Sequence, residues 1–155
     1  MIEKPTIIDV SARLIAVLPI TVARDKIRTV MSPGIQELKA NLKDQNIAPT
    51  GTWFTHHFRR PTDTFDFEIG IPVALPVAAS GRVGPATMPA MCATRAIYSG
   101  AYEGLTPAWG EFLDWIEANG YQRTPDIWEH YLSGPEANPD PTTWRTELIQ
   151  PLMQT

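Results

Sequence analysis

Residues 31–73 match residues 105–152 in pattern, which restricts the chain to folds built from two like halves. Shifted by 74 positions, Met31, Ile35, Leu38 and Leu42 fall on Leu105, Trp109, Phe112 and Ile116. Both sets have the i, i+4, i+7, i+11 spacing that lines four apolar side chains along one helix face. Ser32-Pro33 falls on Thr106-Pro107, each reading as a hydroxyl N-cap with proline at the first helical position. Gln45-Asn46 sits opposite Asn119-Gly120, and Asn and Gly tolerate the left-handed conformation that ends many helices. The run Trp53 to Phe58 then matches Ile127 to Leu132. After a further shift of five residues, Phe67 to Val73 matches Thr146 to Leu152, with Glu-x-x-x-Pro in both.

At 155 residues the chain is one domain by length, 1–155, and each half needs the other to cover its apolar face. The halves are expected at about 6–75 and about 90–153, joined by a linker at about 76–89 that holds Pro76, Gly81, Gly84 and Pro89. A net charge of −4 gives no basic footprint for nucleic acid, so no direct nucleic-acid binding is expected. The one basic dipeptide, Arg59-Arg60 before Pro61, reads as a solvated turn. A single cysteine, Cys92, excludes an internal disulfide and fits a reducing cytoplasm. The N-terminus carries Glu3 and Asp9 and no long apolar run, so neither a signal peptide nor a membrane span is expected.

Along the chain, 6–18 suits a strand and Pro19 to Val30 a connector with a short helical turn from Asp25. Helix 33–45 and strands 52–58 and 65–73 complete the first half. Strand 91–98, helix 107–119 and strands 126–132 and 144–152 make the second, with Pro135, Pro139 and Pro141 keeping the last connection irregular. Each half is β-α-β-β. The fold class is therefore α+β: one antiparallel sheet of about eight strands, two main helices on one face, and a ligand pocket on the other.

Three segments resemble a known family. They are Tyr98-Ser99-Gly100-Ala101-Tyr102-Glu103-Gly104-Leu105, Pro125 to Leu132, and Trp144-Arg145-Thr146-Glu147 ending in Pro151. Together they look like the GyrI-like small-molecule-binding domain, which is also the effector-binding half of AraC-type and BmrR-type regulators. The segment Phe65 to Val73 resembles the strand that closes the family's first repeat. The likeness runs from about residue 6 to residue 152. It implies a pocket at the pseudo-dyad, with aromatic walls and a buried glutamate that attracts cationic or lipophilic ligands. Family members include multidrug-sensing domains, a DNA gyrase inhibitor, and proteins that hydrolyse cyclopropane-bearing cytotoxins, so fold does not settle activity. The regulators carry a helix-turn-helix module ahead of this domain. Nothing precedes residue 6 here, so a stand-alone domain is expected rather than a self-contained transcription factor.

On the strand from 127 to 132, Ile127, Glu129 and Tyr131 share one face. Glu129 and Tyr131 match the family's pocket-facing pair, so both are candidate ligand-binding residues. A carboxylate in an aromatic pocket attracts a cation or serves as a general acid or base. The competing role is an edge glutamate facing water. Glu147 and Glu68 occupy equivalent positions, as structural acceptors or as pocket lining. Glu147 is the better catalytic partner because it shares a half with Glu129. Trp53, Thr55 and His57 form the equivalent face of the first half, with Trp53 either a stacking wall or a core residue. His57 stands where the family often has Tyr and would make pocket polarity sensitive to pH. His56 and His57 point to opposite faces and cannot share a metal, and no Cys/His spacing elsewhere suggests one. Tyr98, Tyr102 and Trp109 lie at the entry to the second helix, with Trp109 mainly packing and Tyr102 a wall or lid. No nucleophile elbow or phosphate-binding glycine motif occurs, and no cofactor is expected.

The expected function is binding or sequestration of a hydrophobic or cationic small molecule, in the manner of multidrug-binding proteins. The alternatives are hydrolysis of a strained electrophile, with Glu129 handling water, and protein–protein regulation such as gyrase inhibition. A protein partner or a homodimer stays open.

Overall fold

The computed structural model describes residues 2–60 and 62–153. Pro61, the expected turn residue after Arg59-Arg60, lies outside them. In chain order the elements are β1 (Thr6–Val10), β2 (Arg13–Ala23), α1 (Ile27–Asp44), β3 (Phe54–His57) and β4 (Thr64–Pro72). They continue with β5 (Gly84–Met88), β6 (Met91–Ser99), α2 (Leu105–Ala118), β7 (Ile127–Ser133) and β8 (Arg145–Pro151). The protein is thus the expected α+β chain, with eight strands and two main helices.

The chain divides into two compact units, residues 11–90 and residues up to 10 together with 91 onward. In the unit of residues 11–90, β2 lies between β4 and β5, and β3 pairs with β4, all antiparallel. Leu38 and Leu42 of α1 pack on Leu18, Ile20, Phe67 and Ile69. Gly34 permits this approach, because a Cβ there would meet Ile69 Cδ1 at 2.8 Å. In the other unit, β6 lies between β1 and β8, and β7 pairs with β8, again antiparallel. Trp109, Phe112 and Ile116 of α2 pack on Ala96, Ile127 and Leu148. Burying each such side chain contributes roughly 1.5–3 kcal/mol against leaving it in water.

Matching backbone hydrogen bonds recur in the two units. Thr50 N donates to Pro72 O at 2.9 Å, and Thr124 N to Pro151 O at 3.1 Å. Ile47 N reaches Leu42 O at 2.9 Å, and Tyr121 N reaches Ile116 O at 3.2 Å. The helix C-caps follow the sequence expectation, with Asn46 at φ 56° and Gly120 at φ 79°.

Three expectations need correction. The strand expected at 6–18 is two strands, since β1 pairs with β6 while β2 pairs with β4 and β5. The stretch expected as a linker at 76–89 holds β5, on the edge of β2 as β1 is on the edge of β6. Pairing partners of an edge strand are non-local, and proline at the ends of β5 resembles a linker in sequence. The helix starts also differ. Single 3₁₀ turns at Arg24–Lys26 and Tyr102–Gly104 lead straight into α1 and α2. The helices are therefore already under way at Ser32 and Thr106, and neither N-cap, Lys26 or Gly104, makes a side-chain capping bond. Pro107 is in the first turn of α2, where the missing N–H has no intrahelical partner, whereas Pro33 lies inside α1 and removes one bond. Among the described residues, no helix is long and apolar enough to cross a membrane.

Candidate functional site

Glu129 is buried on β7, with 7% of its surface exposed. It shares a strand face with Ile127, and its cross-strand neighbour on β8 is Leu148. Both of those residues pack under α2, so the carboxylate lies on the helix side of this unit's strands. The expected pocket lay on the helix-free face, and Glu129 itself stands on the face that α2 covers. The physical reason lies in α2, whose Trp109 indole is buried and needs an acceptor. Trp109 Nε1 donates to Glu129 Oε2 at 2.6 Å, and the Tyr131 hydroxyl donates to Glu129 Oε1 at 2.6 Å. Each oxygen holds one neutral donor, and among the described residues no cationic side chain pairs with this carboxylate. Two short bonds to a carboxylate are strong by protein standards, yet neither donor brings a positive charge into the aromatic surround.

The surround is built by two further rings, Tyr102 and Trp144. Tyr102 meets Tyr131 edge-on at 5.9 Å between centroids and lies 5.0 Å from the Trp144 ring. Trp144 is anchored by its indole, which donates to Asn138 O at 2.7 Å. Burial first, then the nearby carboxylates of Glu136 and Glu129, push the Tyr102 phenol up to about 12. That order of causes places Tyr102 within the field of both carboxylates. Thr146, fully buried, stands opposite Tyr131 on β8 and therefore on the same face. Its hydroxyl has no hydrogen-bond partner among the described residues.

The other expected residues separate by place. Tyr98 is buried against α2 and donates its hydroxyl to Ala101 O at 2.7 Å. Burial, then the Glu103 charge, raises its pKa. Its hydroxyl pins the loop ahead of α2 and is not free as a ligand wall. Glu147 points to the opposite face from Glu129. There Arg95 Nε donates to its carboxylate at 2.5 Å, and His130 Nδ1 lies 3.5 Å away. Period-two alternation makes this unavoidable, because Leu148 and not Glu147 is the partner of Glu129. The expected pair of carboxylates in one pocket is therefore corrected. Glu68 does the same in its unit, with His56 Nδ1 at 3.1 Å.

Trp53, Thr55 and His57 belong to the unit of residues 11–90. Trp53 is half-buried and packs against the α1 core. Thr55 and His57 are buried, and His57 stacks on Phe67 at 4.9 Å between centroids. Trp144 and Glu136 escaped the sequence reading as site residues, because the proline-rich stretch 133–144 reads only as irregular. A tryptophan beside three prolines was the available signal. Two shallow surface grooves flank the loop at Tyr121 and Gln122, the larger of about 560 Å³, and Glu129 lines neither.

Eight antiparallel strands, two helices and a carboxylate held among aromatic rings place the chain in the class of α+β domains with a buried polar centre. The chain belongs to the GyrI-like small molecule binding domain family, whose model matches residues 3–153. No curated protein sequence matches it. Among solved structures it is similar to the EcmrR C-terminal domain, at 23% identity and TM-score 0.86, covering 98% of each chain. It is also similar to EcmrR in its DNA complex, at 22% identity and TM-score 0.84, covering 98% of this chain and 58% of that one. The chain thus spans little more than half of that relative's length. SAV2435 bound to tetraphenylphosphonium has the same fold, at 11% identity and TM-score 0.66, with 97% of this chain and 94% of the other covered.

Proposed function

We propose that the protein binds hydrophobic or cationic small molecules, xenobiotics or effectors, through the face of β7 that carries Glu129 and Tyr131. The observation that carries this is a buried carboxylate with two neutral donors, no cationic partner among the described residues, and a wall of Tyr102, Tyr131, Trp109 and Trp144 rings. A cation entering such a site gains from an unscreened charge and from ring faces, while an anion meets neither. The SAV2435 structure, with its tetraphenylphosphonium ion, supports a lipophilic cation as the first ligand to try. The single Cys92, unpaired, supports action in a reducing cytoplasm. Hydrogen bonds that recur at matching positions support a duplicated origin, with β5-β6-α2-β7-β8 repeating β1-β2-α1-β3-β4 in a single domain.

Hydrolysis with Glu147 as the second carboxylate beside Glu129 is not supported, because Glu147 is turned to the other face. Both oxygens of Glu129 are also engaged as acceptors. Binding without turnover is therefore the function the geometry supports best.

The test is a thermal-shift and calorimetric titration with tetraphenylphosphonium. Saturation at 100 times the dissociation constant stabilises a folded protein by about 2.7 kcal/mol. Glu129→Gln keeps shape and removes charge, so it should weaken the cation more than a neutral tetraphenyl analogue. Equal losses for both would rule out Glu129 as the charge sensor.

A further inference from the structure

Outside the pair formed by Glu129 and Tyr131, a second carboxylate lies near the phenol of Tyr102. Glu136 lies on the surface loop between β7 and β8. The Tyr102 hydroxyl and Glu136 Oε2 lie 2.6 and 3.2 Å from one point, the position that a Cβ on Gly134 would occupy. Glycine at 134 therefore makes the space in which hydroxyl and carboxylate approach. Tyr102 meets the rings of Tyr131 and Trp144, and Tyr131 in turn donates its hydroxyl to Glu129, so the tyrosine pair links the two acidic groups. Two carboxylates near one another do not by themselves make a site. Here one of them is buried, and the hydroxyl of Thr146, fully buried on the same face, lacks a hydrogen-bond partner among the described residues. The strand face is thus furnished for a polar ligand, with its inner charge buried and its outer charge at the surface.

We infer that Glu136 is an outer anionic subsite, and that the protein prefers compact dications, with one positive centre at Glu129 and the second at Glu136, over monocations of the same shape. This rests on the binding function proposed above. Tyr102, in contact with Tyr131 and near Glu136, offers its ring to the linker of such a ligand. The high pKa of the phenol agrees, since Glu136 precedes Glu129 among the charges that raise it. A dication pairs with both carboxylates at once, whereas a monocation at Glu129 leaves the outer one without a counter-charge. Because Glu136 is exposed, its share is that of a surface ion pair and is screened by salt.

The test compares two probes by calorimetry: an arene with two trimethylammonium groups, and the same arene with one of them replaced by tert-butyl. The two have the same shape and differ by one charge. Wild type should bind the dication about fivefold more tightly at low salt, as expected for one exposed ion pair. Glu136→Gln should abolish that preference and leave the monocation within about twofold, with thermal unfolding unchanged to confirm the fold. Glu129→Gln should weaken both probes. A preference that survives Glu136→Gln, or equal loss of both probes in that variant, overturns the outer subsite while leaving the binding function intact. Failure of wild type to bind either probe overturns the binding function and the subsite with it.

Discussion

Trp109 Nε1 reaches Glu129 Oε2 across 2.6 Å, so a residue of α2 holds the buried carboxylate of β7 in place. Hydrogen bonds to charged groups contribute roughly 1.5–3 kcal/mol, and a buried acceptor left short of a donor costs a similar amount. Trp109→Phe should therefore destabilise the protein by about 2 kcal/mol or more, including lost packing. In a double-mutant cycle with Glu129→Gln, a coupling of at least about 1 kcal/mol is expected from urea unfolding. Additive effects would show that the bond does not hold the site together.

Glu147 gives the contrasting case. Its carboxylate pairs with Arg95 on the face opposite Glu129. Glu147→Gln should lower stability by about 1 kcal/mol or less, as for other partly exposed pairs, and leave tetraphenylphosphonium affinity within twofold. A large loss of affinity in calorimetry would place Glu147 in the ligand site after all.

Tyr102 should reveal itself at high pH. Its phenol titrates at about 12 in the folded protein against an ordinary value near 10. Between those values the folded state holds a proton that the unfolded state has released. The stabilisation is complete below about pH 10 and is lost as pH rises toward 12. Spectrophotometric titration of phenolate should show a step near 12 that Tyr102→Phe removes. The same variant should flatten the fall in stability across that window.

Gly120 isolates a backbone effect. It sits at φ 79° after α2, and a Cβ added there would meet nothing within 4 Å. Gly120→Ala should cost about 1 kcal/mol from conformation alone, and Gly120→Asn less, since Asn46 takes the same role after α1 at φ 56°. Equal stability of the alanine and asparagine variants would contradict that account.

Much of this was legible in the sequence because it is local. Leu38 and Leu42, and Phe112 and Ile116, fall on one helix face by spacing alone, and the packing follows. Asn46 and Gly120 mark helix ends because few other residues accept positive φ. Alternation along 127–132 correctly put Glu129 and Tyr131 on one face.

Tertiary structure decided the rest. A strand has two faces, and its own sequence cannot say which of them a distant helix will cover. Trp109 settled that for Glu129 by bringing a buried donor from α2, 20 residues away in the chain. The partners of β1 and β5 were likewise invisible, because edge pairing depends on which strand ends lie free after the central strands have formed. Glu136 and Trp144 joined the site only because the loop between β7 and β8 folds back onto Tyr102. Periodicity and backbone preference act over a few residues and are written in the sequence, whereas the meeting of Glu129, Tyr102 and Glu136 depends on contacts that exist only once the chain has packed.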